Sequence, residues 1–285
     1  MRFSRFKGGE GMHRLAMLAV FVLGIGQGAL AADLNVAPAP VPLLPSWTGF
    51  YIGVHAGAAW QSSPDWNFFD PNGAFATKMG GTANPLGAVG GIQGGYNWQF
   101  APAWVLGVEG DISWSSLGDN RTNPVLISPV LIPFTSGVNL AFLPCPTCSL
   151  RMNANTEWLS SIRGRFGYTG WGNTWLYATG GVAWANIEYN AILNGPSVAG
   201  STSQSTVSFN TTKTGWVVGG GAEWMTTPNL LLRAEYLYYN IGNANVAASA
   251  PLCINAALGC AVFPFAYNWS NYNIQVVRVA GSYKF

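Results

Sequence analysis

The sequence predicts an all-β protein: a transmembrane, antiparallel, up-and-down β-barrel of eight strands. Three observations carry that expectation. The final segment, Gln275-Val276-Val277-Arg278-Val279-Ala280-Gly281-Ser282-Tyr283-Lys284-Phe285, alternates, with Val277, Val279, Tyr283 and Phe285 on one face and Arg278, Ser282 and Lys284 on the other. Strand side chains alternate with period 2, so one face suits lipid and the other a polar interior. Charged residues make up 8% of the chain, against about 25% in ordinary soluble domains. Beyond the N-terminus no apolar run approaches the ~20 residues of a membrane helix, which leaves strands as the spanning element.

In chain order, the first element is a processing signal. Arg2, Arg5, Lys7 and Arg14 are basic, 15–25 is apolar, and Ala29-Leu30-Ala31 is an A-x-A cleavage site. The pattern predicts a signal peptide over residues 1–31, with Ala32 the second candidate for the cleavage position. The usual basic region is shorter, so Met12 competes with Met1 as the start. Cleavage leaves nine basic and ten acidic groups, a net charge of −1, and no basic patch for nucleic acid. Residues 32–46 hold Pro38, Pro40, Pro42 and Pro45 and read as an extended periplasmic lead-in. The barrel domain is 47–285.

Eight alternating segments follow, at 48–60, 87–100, 103–115, 155–168, 174–188, 213–226, 230–243 and 271–285. The connections alternate in length. Those at 101–102, 169–173 and 227–229 are short, and those at 61–86, 116–154, 189–212 and 244–270 are long. Short periplasmic turns with long outer loops are the arrangement of outer-membrane barrels.

Aromatic residues set the faces. Phe50 and Trp60, Trp104 and Trp114, and Trp158 and Tyr168 are same-face pairs ten residues apart, which is about 33 Å along a strand. A tilt of about 40° projects that span to about 25 Å, the height of the apolar band. Trp216 and Trp224 repeat the theme, and Phe285 closes the last strand. These residues are expected to form two interface girdles. The fifth segment fits least well, because Trp184 and Leu176 share one parity and Trp175 has the other.

The opposite faces carry charge: Glu109, Asp111, Arg163, Arg165, Glu223, Arg233, Glu235, Arg278 and Lys284. Matching Trp114 with Trp158 and Trp104 with Tyr168 makes paired residue numbers sum to 272 and sets Glu109 opposite Arg163. Glu223 falls near Arg233 by the same reasoning. An eight-stranded barrel has an interior that side chains fill, so a ladder of acid–base pairs is expected there, with a proton or ion path as the lesser alternative. Glycines such as Gly219, Gly220 and Gly221 sit in strand interiors, where they permit close strand approach.

The cysteines all fall in predicted outer loops. An exported chain meets an oxidising compartment, and four cysteines allow three connectivities. The local pairs Cys145–Cys148 and Cys253–Cys260 are preferred. A redox reading of Cys145-Pro146-Thr147-Cys148 lacks a βαβ context, and a four-cysteine zinc site needs the second and fourth loops to meet. The tandem repeat Pro124-Val125-Leu126-Ile127-Ser128 and Pro129-Val130-Leu131-Ile132-Pro133 is expected to be covered, as a hairpin above the membrane or against a partner. His55 is the one histidine of the mature chain and has inward parity, where a satisfied polar group is the expectation. One histidine fixes no catalytic triad.

Trp47-Thr48-Gly49-Phe50-Tyr51-Ile52-Gly53 resembles the first strand of the alpha-proteobacterial outer-membrane immunogenic protein family. Similar matches are Gly95-Tyr96-Asn97-Trp98-Gln99-Phe100, Gly107-Val108-Glu109-Gly110-Asp111, Arg163-Gly164-Arg165-Phe166-Gly167-Tyr168, Arg233-Ala234-Glu235-Tyr236-Leu237-Tyr238 and the last strand. The resemblance covers nearly all of 46–285 outside the loops. It implies a small OmpA-like barrel without catalysis, among relatives that are surface antigens; some are called porins and some bind haemin. The terminal Phe285 resembles the signature read by the barrel assembly machinery.

The expectation is therefore a monomer in the outer membrane of a Gram-negative cell. It has an envelope-integrity and surface-antigen role, a lumen plugged by charged pairs, and outer loops for a host or surface ligand. Outer-membrane lipid and lipopolysaccharide are the surrounding partners. No catalytic, metal or cofactor site is assigned. A narrow porin-like channel for small solutes is the alternative.

Overall fold

The computed structural model describes residues 46–61, 65–69, 76–79, 85–124, 127–134, 137–144, 149–198, 201–255, 259–270 and 272–285. The expected signal peptide, and the lead-in through residue 45, lie outside them.

Eight strands close into an antiparallel barrel: β1 (Gly49–Gln61), β4 (Leu86–Ala101), β5 (Trp104–Pro124), β8 (Ser149–Trp171), β9 (Thr174–Val198), β10 (Ser201–Thr227), β11 (Leu230–Asn240) and β14 (Asn273–Lys284). Each barrel strand pairs with the next one along the chain, and β1 closes on β14 through Tyr51 opposite Lys284 to Gln61 opposite Ile274. β5 and β8 pair in the register whose numbers sum to 272, with Trp104 opposite Tyr168, Glu109 opposite Arg163 and Trp114 opposite Trp158. Glu223 lies opposite Arg233 on β10 and β11. At one end tight turns join the strands. The β8–β9 turn places Gly172 at φ +70°, a left-handed conformation that costs glycine nothing.

Two expected loops are largely strand. The segment 116–154 contains the upper parts of β5 and β8, and 189–212 forms the upper hairpin of β9 and β10. The physical reason is an inversion of the faces along each strand. Within the barrel wall, β9 turns Leu176 and Val182 outward. Further up, Ile187, Tyr189 and Ala191 are buried inside, while the outward positions are Asn186, Glu188 and Asn190. Once lipid gives way to water, the apolar face must turn inward.

The other two long connections build a second sheet together. β2 (Asp65–Phe69) and β3 (Ala76–Met79) come from the first, and β12 (Ala244–Asn255) and β13 (Gly259–Ser270) from the last, in the order β12-β13-β2-β3. The tandem repeat does enter a hairpin, of β6 (Ile127–Phe134) and β7 (Gly137–Pro144). Its two copies do not pair with each other, however: Val130 faces Ala141 and Ile132 faces Asn139.

Candidate functional site

The barrel interior is layered along its axis. At the end with the tight turns and the chain termini, Trp47, Tyr51, Trp175 and Tyr177 form an aromatic floor with Val105, Met225 and Leu231. The Trp47 and Trp175 rings lie 5.7 Å apart, and the Trp47 amide donates to Gln99 Oε1 at 3.0 Å. Trp175, whose parity set it apart from its strand's other aromatics, faces inward, where its ring carries the Arg165 guanidinium at 4.3 Å; the adjoining Tyr177 ring meets the same guanidinium at 4.1 Å. A desolvated cation over aromatic faces gains electrostatic attraction.

Above the floor lies the charged layer. Glu109, Asp111, Arg163, Arg165, Glu223, Arg233, Glu235 and Arg278 are all buried, and their formal charges cancel. Glu109 meets every arginine of the set: Arg163 at 2.5 Å, Arg233 at 2.5 Å, Arg165 at 3.5 Å and Arg278 at 3.6 Å. Asp111 takes Arg163 and Arg278, each at 3.1 Å, and Glu235 takes Arg163 at 3.1 Å and Arg278 at 2.7 Å. Glu223 pairs with Arg233 at 2.8 Å and with Arg165. Tyr51 and Tyr177 donate to Glu109 and Glu235 at 2.6 and 2.7 Å. The expected ladder of separate cross-strand pairs is thus corrected to one web. Guanidinium groups are long enough to cross an eight-stranded interior, so each acid gathers arginines from several walls. Lys284 stands apart, donating to the Ser46 carbonyl at the barrel base.

His55 is buried at the edge of this layer. Its Nδ1 faces Gln93 Oε1 at 3.2 Å, and its Nε2 lies 2.7 Å from Ser113 Oγ and 3.4 Å from Arg278 Nη1. The amide oxygen only accepts and Arg278 only donates, an arrangement that suits a neutral ring with its proton on Nδ1. Behind the His–Ser contact stands an amide rather than a carboxylate, because Asp111 is taken by arginines and by Ser161 at 2.5 Å.

The upper interior is apolar. Leu150, Met152, Leu159, Ile187, Tyr189 and Ile274 pack with Tyr267, Trp269 and Tyr272. The Tyr189 ring lies 4.8 Å from Trp269 and 5.0 Å from Phe209, against which it stacks. The expected polar interior belonged to the membrane-spanning segments, and loops were expected at much of this height; above the membrane the inward face is the dry one. Burial raises the Tyr189 hydroxyl well above its ordinary value, with neighbouring Tyr272 adding to the shift, and pushes Tyr267 to about 12.

On the outer wall, Phe50, Trp104, Trp114, Tyr168, Trp216, Trp224 and Phe285 are exposed. Trp60 and Trp158 are half-buried on the same wall. Trp104 stacks on Phe166 at 5.1 Å and meets Tyr168 edge-on at 5.4 Å. Cys253 and Cys260 stand directly opposite each other in the β12–β13 register, while Cys145 and Cys148 lie outside the described residues. Sequence reasoning missed the aromatic floor, although the inward parity of Tyr51 and Tyr177 beside the charges was a usable signal. It also missed Gln93 and Ser113, whose parity matches that of their charged neighbours.

Comparison with known proteins agrees with this architecture. The family model for the outer membrane protein beta-barrel domain matches residues 18–285. The 31 kDa outer-membrane immunogenic protein of Brucella melitensis is 30% identical over 94% of this chain and 98% of its own length. A 22 kDa outer membrane protein of Rhizobium leguminosarum is 29% identical over 70% of this chain and 67% of its own. Among solved structures, the attachment invasion locus protein Ail of Yersinia pestis covers 84% of this chain and 99% of its own, at 14% identity and a TM-score of 0.34.

Proposed function

This chain belongs to the outer membrane protein beta-barrel domain family, and from that premise we propose that it is a sealed barrel serving envelope integrity and surface display rather than transport. Its place is the outer membrane of a Gram-negative cell, and relatives are named as immunogenic outer-membrane proteins. The observation that carries the sealed reading is the Glu109 carboxylate, which reaches arginines on β8, β11 and β14 across the interior. A solute would have to break a neutral web of buried pairs, each of which costs on the order of 3–5 kcal/mol when one partner is stranded. The aromatic floor and the apolar upper layer seal it again on either side.

The same reading makes the protein a non-enzymatic monomer, exported through cleavage of residues 1–31. The barrel assembly machinery reads its last strand through Phe285. A Cys253–Cys260 disulfide, with Cys145–Cys148 as the second local pair, staples the parts that face outward, where a host or surface ligand would be met.

The test is single-channel conductance of residues 32–285 refolded into a planar bilayer, with heat-modifiable gel migration as the control for a formed barrel. Folded protein is expected to leave the bilayer silent. Reproducible conductance steps from folded protein would replace the sealed reading with a narrow solute channel, whose selectivity filter would be the charged layer.

A further inference from the structure

Above the outer girdle the barrel wall carries an ordered face of neutral polar side chains. β8, β9 and β10 continue past Trp158, Trp184 and Trp216, and their outward residues form cross-strand rows. One row is Ser149, Asn194 and Gln204; another is Asn153, Asn190 and Ser208. These strands lie about 4.8 Å apart, with rows about 6.7 Å apart along the strands. The side chains are held in place by one another. Gln204 Nε2 donates to Asn194 Oδ1 at 3.2 Å, and Asn194 Nδ2 donates to Ser149 Oγ at 2.9 Å. Lower down, Asn186 Nδ2 donates to Thr212 Oγ1 at 3.2 Å.

Composition separates this face from an ordinary solvated one. A surface that needs only solubility carries interspersed lysine, arginine and glutamate. Here charge is confined to Arg151, Glu157 and Glu188, Ile192 is apolar, and amides and hydroxyls fill the remaining outward positions from 186 to 194 and from 204 to 214. Amide and hydroxyl groups both donate and accept, which is the chemistry of an uncharged sugar and not that of a phosphate or a basic peptide.

Position supplies the occupant. The rows begin directly above the outward tryptophans that mark the outer edge of the bilayer, on the same strands and the same face. They are continuous with the membrane-facing surface, at the height where the outer leaflet's glycolipid carries its oligosaccharide. We propose that the outward face of β8–β9–β10 above the girdle is a carbohydrate-contact face that takes the neutral sugars of the outer-leaflet glycolipid. It would anchor the protruding strands in the sugar layer. The inference rests on the barrel's orientation in the outer membrane and is independent of whether the lumen conducts.

The experiment uses the refolded mature protein and, as probe, core oligosaccharide cleaved from lipopolysaccharide so that no acyl chain remains. Equilibrium dialysis is run on the wild type and on a row variant, Asn153→Ala with Asn190→Ala and Ser208→Ala. All three positions are outside the core, and heat-modifiable migration checks folding. Saturable binding by the wild type, weakened about tenfold or more in the row variant, is the expected result (tenfold being about 1.4 kcal/mol). Absence of saturable binding, or equal binding by both proteins, overturns the proposal. Binding seen only with intact lipopolysaccharide and unchanged in the row variant also overturns it, because the contact then belongs to acyl chains on the girdle. Above Trp216, over residues 201–215, β10 has β9 as its sole ladder partner among the described residues. A sedimentation shift from dimer to monomer in the row variant, without sugar binding, would therefore reassign the face to a second copy of the chain.

Discussion

The carboxylate of Glu109 and the guanidinium of Arg233 meet at 2.5 Å from opposite walls of the barrel. β5 and β11 are four strands apart whichever way round the closed sheet is followed, so this pair spans the full interior. Glu109 is also the one acid in contact with all four buried arginines. Glu109→Ala leaves the layer with a surplus positive charge and strands its nearest guanidinium groups. The expected loss is on the order of 3–5 kcal/mol, read as a lower urea midpoint for loss of the heat-modifiable band. A midpoint within experimental error of the wild type would mean that water already reaches the layer.

Charge reversal probes the web differently. Glu109→Arg places five guanidinium groups against three acids and is expected to block barrel formation. Adding Arg163→Glu restores neutrality in a cross-strand pair that lies in direct register. Rescue should be partial, because Arg165, Arg233 and Arg278 still converge where Glu109 stood. Folding yields of the two single variants and the double variant decide it. A double variant no better than either single one would refute the coupling.

How far these features could be read from the sequence depends on which side of the membrane they lie. Inside the bilayer, the pairing of Trp104 with Tyr168 and of Glu109 with Arg163 followed from aromatic spacing and parity, because lipid imposes one rule on every strand. Above the bilayer the rule reverses. Tyr189 is buried inside while Asn190 is half-buried on the outward face, so a pattern keyed to apolar outward residues ends its strands near 188 and 213. The meeting of Asn67 with Asn268, which joins β2 to β13, is set by contacts about 200 positions apart along the chain and leaves no local period to find. The convergence on Glu109 was hidden for a related reason. Strand register orders neighbours around the wall, whereas contacts across the lumen depend on arginine reach.

Alkaline pH should loosen the upper aromatic layer. Burial pushes the Tyr267 hydroxyl up to about 12, against an ordinary value near 10. The folded protein then holds this proton more tightly than the unfolded chain. The stabilisation is fully present below about pH 10 and is lost as pH rises through about 12. Tyr189, also shifted upward by burial, reinforces the trend. Near-ultraviolet circular dichroism should collapse across that window together with the tyrosinate absorbance. Free ionisation near pH 10, with the dichroism unchanged, would show that water penetrates this layer.

The hairpin of β12 and β13 offers a local test of the outer staple. Cys253 and Cys260 are directly opposed, and the next pair towards the tip is Asn255 with Gly259, so the two backbones already run side by side where a bridge would form. An exported chain meets oxidant rather than glutathione, so disulfides are expected, and the direct opposition of Cys253 and Cys260 favours this short-range pair over any link to Cys145 or Cys148. Peptide mapping of unreduced mature protein is expected to recover one cross-linked fragment joining 253 to 260. Replacing both with serine removes the constraint on a short loop, worth about 2–3 kcal/mol in the chain-entropy picture. The loss should appear as faster hydrogen exchange in 244–270, with the heat-modifiable band intact because the charged layer lies far below. A fragment linking 145 or 148 to 253 or 260 would instead tie the second and fourth outer segments together, and the serine variants would then loosen both at once.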